Sequence, residues 1–234
     1  MRKTLILLAA TILLASCHNK QTATEEPEPR TQITLTTTEG DIVLELYNET
    51  PLHRDNFIRQ AESGYFDSLL FHRVIENFMI QSGDPTSKHA APGAFIGDES
   101  KEELIPAEIL YPTLYHKRGA LAAAREGDDV NPEHMSSPTQ FYIVWGRTFE
   151  ADSLLDKMDR RIQEGTNGQY RLDPTLREYY RNNPGTPHLD GSYTVFGEVV
   201  EGLDIVGRIQ ATETDTNDRP IQDIRILHTT IDRR

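Results

Sequence analysis

Short runs that alternate between apolar and polar residues recur from residue 31 to the C-terminal end. In the first run Ile33 and Leu35 share one face, and in the second Ile42, Leu44 and Leu46 share one face. This period of two predicts half-buried β-strands, here joined as a hairpin. Similar runs follow, separated by glycines and polar turns: LFHRVI, FMIQSG, GALAAA, QFYIVWG, YTVFGEVV and IRILHTTI. Many short strands with few helices predict an all-β-dominated fold, either a barrel or a sandwich.

Two regions interrupt this strand pattern with helical signals. Thr50 and the proline after it can begin a helix that Gly64 ends. Between residues 149 and 187 apolar residues recur with helical spacing, as at Leu155 and Ile162. We interpret residues 149–187 as a helical insertion between two strands. It is either a surface addition that the barrel does not need or an element that docks a partner.

The N-terminal segment has the features of a secretion signal. Arg2 and Lys3 precede the apolar run TLILLAATILLA, which is shorter than the roughly 20 residues that span a bilayer. The run leads into LASC, which resembles the bacterial lipobox and ends at Cys17, the only cysteine of the chain. An ordinary signal peptide with an incidental cysteine is the alternative. We expect residues 1–16 to be a lipoprotein signal peptide.

Residues 17–30 are polar and contain proline, which predicts a disordered tether. Lipidation of Cys17 at its start would make it a lipidated tether. The expected location is the cell envelope, anchored to a membrane and facing the periplasm or the cell surface. Residues 31–234 form the expected folded domain. The formal net charge of −13 argues against a nucleic-acid partner, because an acidic surface repels phosphate.

Three segments combine apolar strand residues with polar side chains: FHRVIENFMIQSGD, TQFYIV and HLDGSYTVFGEV. Apolar residues in such strands usually belong to a core. Arg73 is the exception, because a guanidinium in an apolar strand is costly to bury without a partner or a role. Met79 and Gln81 lie two residues apart and therefore share one face of their strand.

Together these three segments resemble the signature regions of the cyclophilin family of peptidyl-prolyl cis-trans isomerases. IPAEI, residues 105–109, is similar to the bacterial branch of the family. The resemblance extends over about residues 32–231, apart from the insertion. It implies an eight-stranded antiparallel β-barrel capped by two helices, and isomerase activity on proline-containing polypeptides.

The resemblance also assigns roles to individual residues. Arg73 would be the catalytic hydrogen-bond donor, and Gln81 would orient it and bind the substrate backbone. The other substrate-binding positions that it implies are Phe78, Met79, Ala124, Arg125, Gln140, Tyr142, His188, Leu189 and Tyr193. Among them, Gln140 and the backbone around Ala124 and Arg125 would hold the residues that flank the proline as an extended strand. Four of these differ from the familiar eukaryotic pattern. Arg125 replaces an asparagine, Tyr142 a phenylalanine, His188 a tryptophan and Tyr193 a histidine.

This chemistry explains why no nucleophile is evident. Rotation about a peptide bond has a barrier of ~18–20 kcal/mol, set by amide resonance, and no bond is broken. An always-charged, rigid guanidinium suits the stabilisation of the twisted amide. We therefore expect neither a cofactor nor a metal. The alternative function is a proline-peptide binding or chaperone module with little catalysis.

Overall fold

The computed structural model describes residues 29–97 and 103–233. The predicted signal peptide, Cys17 and most of the predicted tether lie outside these ranges. Within them, no helix combines the length and the apolarity that crossing a bilayer requires.

The fold consists mainly of β-strands. The eight strands are β1 (Gln32–Thr37), β2 (Gly40–Leu46), β3 (Arg73–Ile75), β4 (Met79–Ser82), β5 (Ala120–Ala123), β6 (Phe141–Val144), β7 (Val195–Glu201) and β8 (Ile226–Asp232). The four α-helices are α1 (Pro51–Glu62), α2 (Asp152–Gly165), α3 (Pro174–Asn182) and α4 (Leu203–Gln210). Short 3₁₀ helices span Pro85–His89 and Pro187–Leu189.

All eight strands join one sheet in the order β3-β4-β6-β5-β7-β2-β1-β8, and every pairing is antiparallel. The sheet curls, because the segment before β3 pairs with the start of β8. Phe71 N donates to Ile224 O at 2.9 Å, and Ile226 N donates to Leu69 O at 2.9 Å. The predicted eight-stranded antiparallel fold is therefore confirmed, as a curled half-barrel.

The alternation of side chains divides the molecule into an interior core and an outer pocket. Ile80 and Ile143 point into the main core, which is completed by α1, packed on β7 and β8, and by α4, packed on β2, β3 and β4. The intervening residues Met79, Tyr142 and Val144 belong to a second apolar cluster on the other face of the same strands. This second cluster forms the base of the site described below.

The helical insertion predicted over residues 149–187 contains α2 and α3. Its seven buried apolar residues form a third cluster: Phe149, Leu155, Met158, Ile162, Leu172, Leu176 and Tyr180. The insertion is also joined closely to the rest of the chain. Gly185 leaves no room for a Cβ atom, which would lie 2.5 Å from the carbonyl oxygen of His116. The end of the insertion therefore packs tightly against the segment before β5.

Candidate active site

A cavity of about 140 Å³ opens on the outer face of β4 and β6. Its lining comes from β3, β4 and β6, from the loop after β5 and from the segment before β7. The lining residues are Arg73, Phe78, Met79, Gln81, Ala124, Arg125, Tyr142, Leu189 and Tyr193. The two remaining predicted positions are adjacent: Gln140 contacts Gln81, and the ring of His188 lies 5.3 Å from that of Phe78. Residues that are up to 120 positions apart thus meet at one pocket.

Arg73 and Gln81 are paired directly across the antiparallel strands β3 and β4. The Nη1 group of Arg73 donates to Oε1 of Gln81 at 3.3 Å, and Nε2 of Gln81 donates to Oε1 of Gln140 at 3.0 Å. The Arg73 side chain remains 44% exposed, so the burial penalty that singled it out in the sequence does not apply. Its guanidinium lies at the rim of an apolar cavity, where a substrate can reach it.

A second group near Arg73 was not evident from the sequence. Oδ2 of Asp218 lies 3.6 Å from Nε of Arg73, and the backbone carbonyl of Asp218 accepts from Val74 N at 2.7 Å. Asp218 has φ 61°, a left-handed conformation that Asp and Asn adopt more readily than most residues. The turn-forming stretch TNDRP was its only signal in the sequence. This carboxylate and Gln81 together restrict the orientation of the guanidinium.

The floor of the cavity is apolar. Met79 and Tyr142 are almost fully buried, and Phe78, Leu189 and Tyr193 pack beside them. The Tyr193 ring lies 6.0 Å from the Tyr142 ring in an edge-on arrangement. An apolar floor of this kind suits the ring of a proline and excludes water from it.

Arg125 supports the wall of the pocket with its side chain. Its guanidinium carbon lies 4.3 Å above the Tyr193 ring, while Nε donates to Ser192 O at 2.8 Å and Nη2 pairs with Asp128 at 2.7 Å. This side chain is only 3% exposed, so it positions Tyr193.

The predicted backbone grip around Ala124 and Arg125 needs a correction. Ala124 N already donates to Gln140 O at 2.9 Å, and Ala124 O accepts from Ser137 N at 2.8 Å. Ala124 is therefore engaged inside the fold, because the loop after β5 folds back on itself. By contrast, the backbone of Arg125 bonds to no residue within 29–97 and 103–233. An extended peptide would have to pair with Arg125.

A buried hydrogen-bond network continues beneath the floor. The hydroxyl of Tyr142 lies 2.9 Å from Nε2 of His116, whose Nδ1 lies 2.8 Å from Oδ1 of Asp190. The hydroxyl of Tyr180, in α3, donates to Oδ2 of Asp190 at 2.7 Å. Burial raises the pKa of both tyrosines, and nearby Asp190 adds to this, so both hydroxyls keep their protons. The network therefore connects the pocket floor to the insertion.

His188 is neutral in this site. Burial lowers its pKa to about 3, and the positive charge of Arg161 contributes to the shift. An uncharged imidazole can pack against Phe78 without the desolvation cost that an imidazolium would carry.

The sequence matches the cyclophilin-type peptidyl-prolyl cis-trans isomerase family over residues 32–231. The chain belongs to this family. A peptidyl-prolyl cis-trans isomerase of Arabidopsis thaliana is 33% identical over 197 residues, which are 83% of this chain but only 23% of that protein. A Staphylococcus haemolyticus protein, named as a candidate isomerase of this type, is 30% identical over 83% of this chain and 88% of its own length.

The fold of this cyclophilin is also found among solved structures. A cyclophilin-type isomerase of Cryptosporidium parvum, crystallised in the presence of the dipeptide Ala-Pro, superimposes with a TM-score of 0.59. Its sequence is 23% identical, and the match covers 86% of this chain and 98% of that protein. At this level of identity, the similarity establishes the shared fold.

Replacing Tyr180 with phenylalanine tests the link between the insertion and the pocket. The change removes the hydrogen bond to Oδ2 of the buried Asp190, and an unsatisfied buried acceptor costs about 1–3 kcal/mol. We expect the free energy of unfolding, measured by urea denaturation, to fall by that amount. Tyr179→Phe is the matched control on the same helix, since its hydroxyl donates to no described residue. Equal stability of both variants would contradict the proposed link.

Proposed function

We propose that this cyclophilin accelerates isomerisation of X–Pro bonds in exported proteins by electrostatic stabilisation of the twisted amide. The observation that carries the proposal is the guanidinium of Arg73 at the rim of an apolar cavity, held by Gln81 and Asp218. The Ala-Pro dipeptide used with the structurally similar Cryptosporidium protein supports a proline-containing ligand.

The chemistry needs a positioned charge rather than a covalent intermediate. Twisting the peptide bond breaks amide resonance, and the nitrogen then becomes pyramidal with a localised lone pair. A donor that is already in place stabilises this state more than the planar ground state, and that difference lowers the barrier. Arg73 can supply such a donor, because the groups that orient it leave part of its guanidinium open to the cavity.

The proposed role of Arg73 is tested by two substitutions. Arg73→Ala deletes the charged donor and should lower kcat/KM on an Ala-Pro tetrapeptide by about 10²–10³, the typical effect of losing one such donor. Arg73→Lys keeps the charge without the planar fork and should restore only part of the activity. Arg208→Ala, in α4 and paired with Asp204, is the control and should retain activity. An Arg73→Ala enzyme with nearly the wild-type rate would instead favour the binding-module alternative.

The proposed mechanism also determines the pH dependence. A guanidinium stays protonated at any usable pH, and the phenol of Tyr142 keeps its proton because its pKa is raised. With its pKa lowered to about 3, His188 does not change charge above pH 5. The rate on a short peptide should therefore be flat between about pH 6 and pH 9, unlike the bell-shaped profile of acid–base catalysis. A step near pH 6.5 that His188→Gln removes would show that His188 titrates normally.

We further propose that the domain is held at a membrane of the cell envelope through lipidated Cys17. The support is the lipobox-like LASC after a short apolar run, followed by the polar segment 18–30. Such a tether would reach roughly 20 Å, which keeps the pocket close to the membrane and accessible to proteins in transit.

The anchor is tested by growing cells with a fatty-acid analogue that can be tagged. Wild-type protein should take up the label and sediment with membranes, and Cys17→Ala should do neither. Arg73→Ala, which leaves the N-terminus intact, is the control and should be labelled like the wild type. Unlabelled wild-type protein would contradict lipidation.

A further inference from the structure

A second cavity, of about 370 Å³, lies beside the first cavity, which we propose holds the proline. Phe78 lines both cavities, and the ring of His188 packs against it at 5.3 Å. The Phe78–His188 pair thus separates the two spaces. Much of the wall of the second cavity is supplied by the insertion, through Phe149, Met158 and Arg161. The insertion therefore extends the binding surface beyond the pocket that the shared fold provides.

Two of the residues that line the second cavity are arginines without an ionic partner among the described residues. Arg147 and Arg161 both line it, and neither forms an ion pair with any residue in the described ranges. Arg147 lies over the Phe149 ring, with its guanidinium carbon 5.3 Å from the ring centre. The arginines of the neighbouring helix α3 behave differently, since Arg177 and Arg181 are both paired with Asp152.

This local charge stands out against an acidic molecule. The chain has 37 acidic and 24 basic residues, so a cavity lined by two arginines differs in charge from the molecule as a whole. Only one carboxylate, that of Glu76, lines the cavity beside the two arginines. His188 lines the same cavity, and its pKa is lowered mainly by burial and further by the positive charges of Arg161 and Arg147.

We infer that this second cavity is a subsite for an acidic side chain of the substrate. The acidic residue would belong to the part of the substrate chain that extends from the proline past the Phe78–His188 pair. A guanidinium binds a carboxylate through charge-assisted hydrogen bonds, and two arginines line this cavity together with Phe149 and Met158, which offer apolar surface to the methylene groups of the acidic side chain. Only the Phe78–His188 pair separates the two cavities, so the acidic residue would lie within a few positions of the proline. The inference rests on the proposed function, because it assumes that the first cavity holds the proline.

The test compares peptides that differ by one neutral substitution. A fixed Ala-Pro core carries Glu or Gln at each of four positions before and after it, and the termini are blocked. For wild-type enzyme we expect kcat/KM to favour Glu over Gln about fivefold, on one side of the proline only, as for a partly exposed ion pair. Arg161→Gln and Arg147→Gln should each lower this ratio, and the double variant should bring it to about one. Arg161→Lys should keep part of the preference.

Arg160→Gln is the matched control, because Arg160 is exposed on the same helix but does not line the cavity. It should keep the wild-type ratio. A ratio of one at every position in the wild type would overturn the inference, and so would a preference that survives in the double variant. A preference that appears only with an unblocked C-terminus would show recognition of the chain end and would also overturn it.

Failure of the subsite is distinguishable from failure of the proposed function. The subsite is tested by the ratio of kcat/KM between the Glu peptide and the Gln peptide on one enzyme. Loss of Arg73 should instead lower kcat/KM for every peptide. If the wild type shows no isomerase activity, the same ratio is measured from the Kd values of fluorescently labelled peptides. A Glu preference in Kd that requires Arg147 and Arg161 would support the subsite even then.

Discussion

The pairing register of β3, β4 and β6 is the constraint on which the rest of the site depends. Gln81 is opposite Arg73 on one side and opposite Tyr142 on the other. Because side chains alternate across a strand, a shift by one residue would turn Gln81 toward the core and Ile80 toward solvent. The fully buried Ile80 and Ile143 therefore fix the register through their packing. The same packing places the proposed catalytic side chains on the outer face.

Arg73 has to be held without being neutralised. Its contact with Asp218 is a single one at 3.6 Å between side chains that are both 44% exposed, and such pairs contribute little energy. A bidentate pair would hold the guanidinium more firmly but would use the donors that a twisted amide needs. Gln81 is neutral and shares its amide with Gln140, so it orients Arg73 without competing for its charge. Weak restraint from two directions is consistent with a catalytic donor.

The sequence predicted those features that depend on local pattern. The alternation predicted the strands, helical spacing located the insertion, and three short motifs identified the pocket residues that the structure brings together. The buried network was missed, because His116, Tyr180 and Asp190 come from segments whose proximity only the fold creates. The backbone of Ala124 was assigned wrongly for a similar reason. Its hydrogen bonds depend on how the loop after β5 folds back, and residue identity does not determine this.

The hydroxyl of Tyr142 is the first member of the hydrogen-bond network that joins the pocket floor to the insertion. A phenylalanine floor would need nothing beneath it, whereas a buried phenol needs a hydrogen-bond partner, which His116 provides. His116 is held in turn by Asp190, a fully buried carboxylate that would be costly without several donors. His116 supplies two of these donors, from its backbone and its ring, and Tyr180 of the insertion supplies the third. Successive hydrogen bonds thus connect the Tyr142 hydroxyl in the pocket floor to α3. The insertion that completes this network is also the element that places Arg161 beside the pocket.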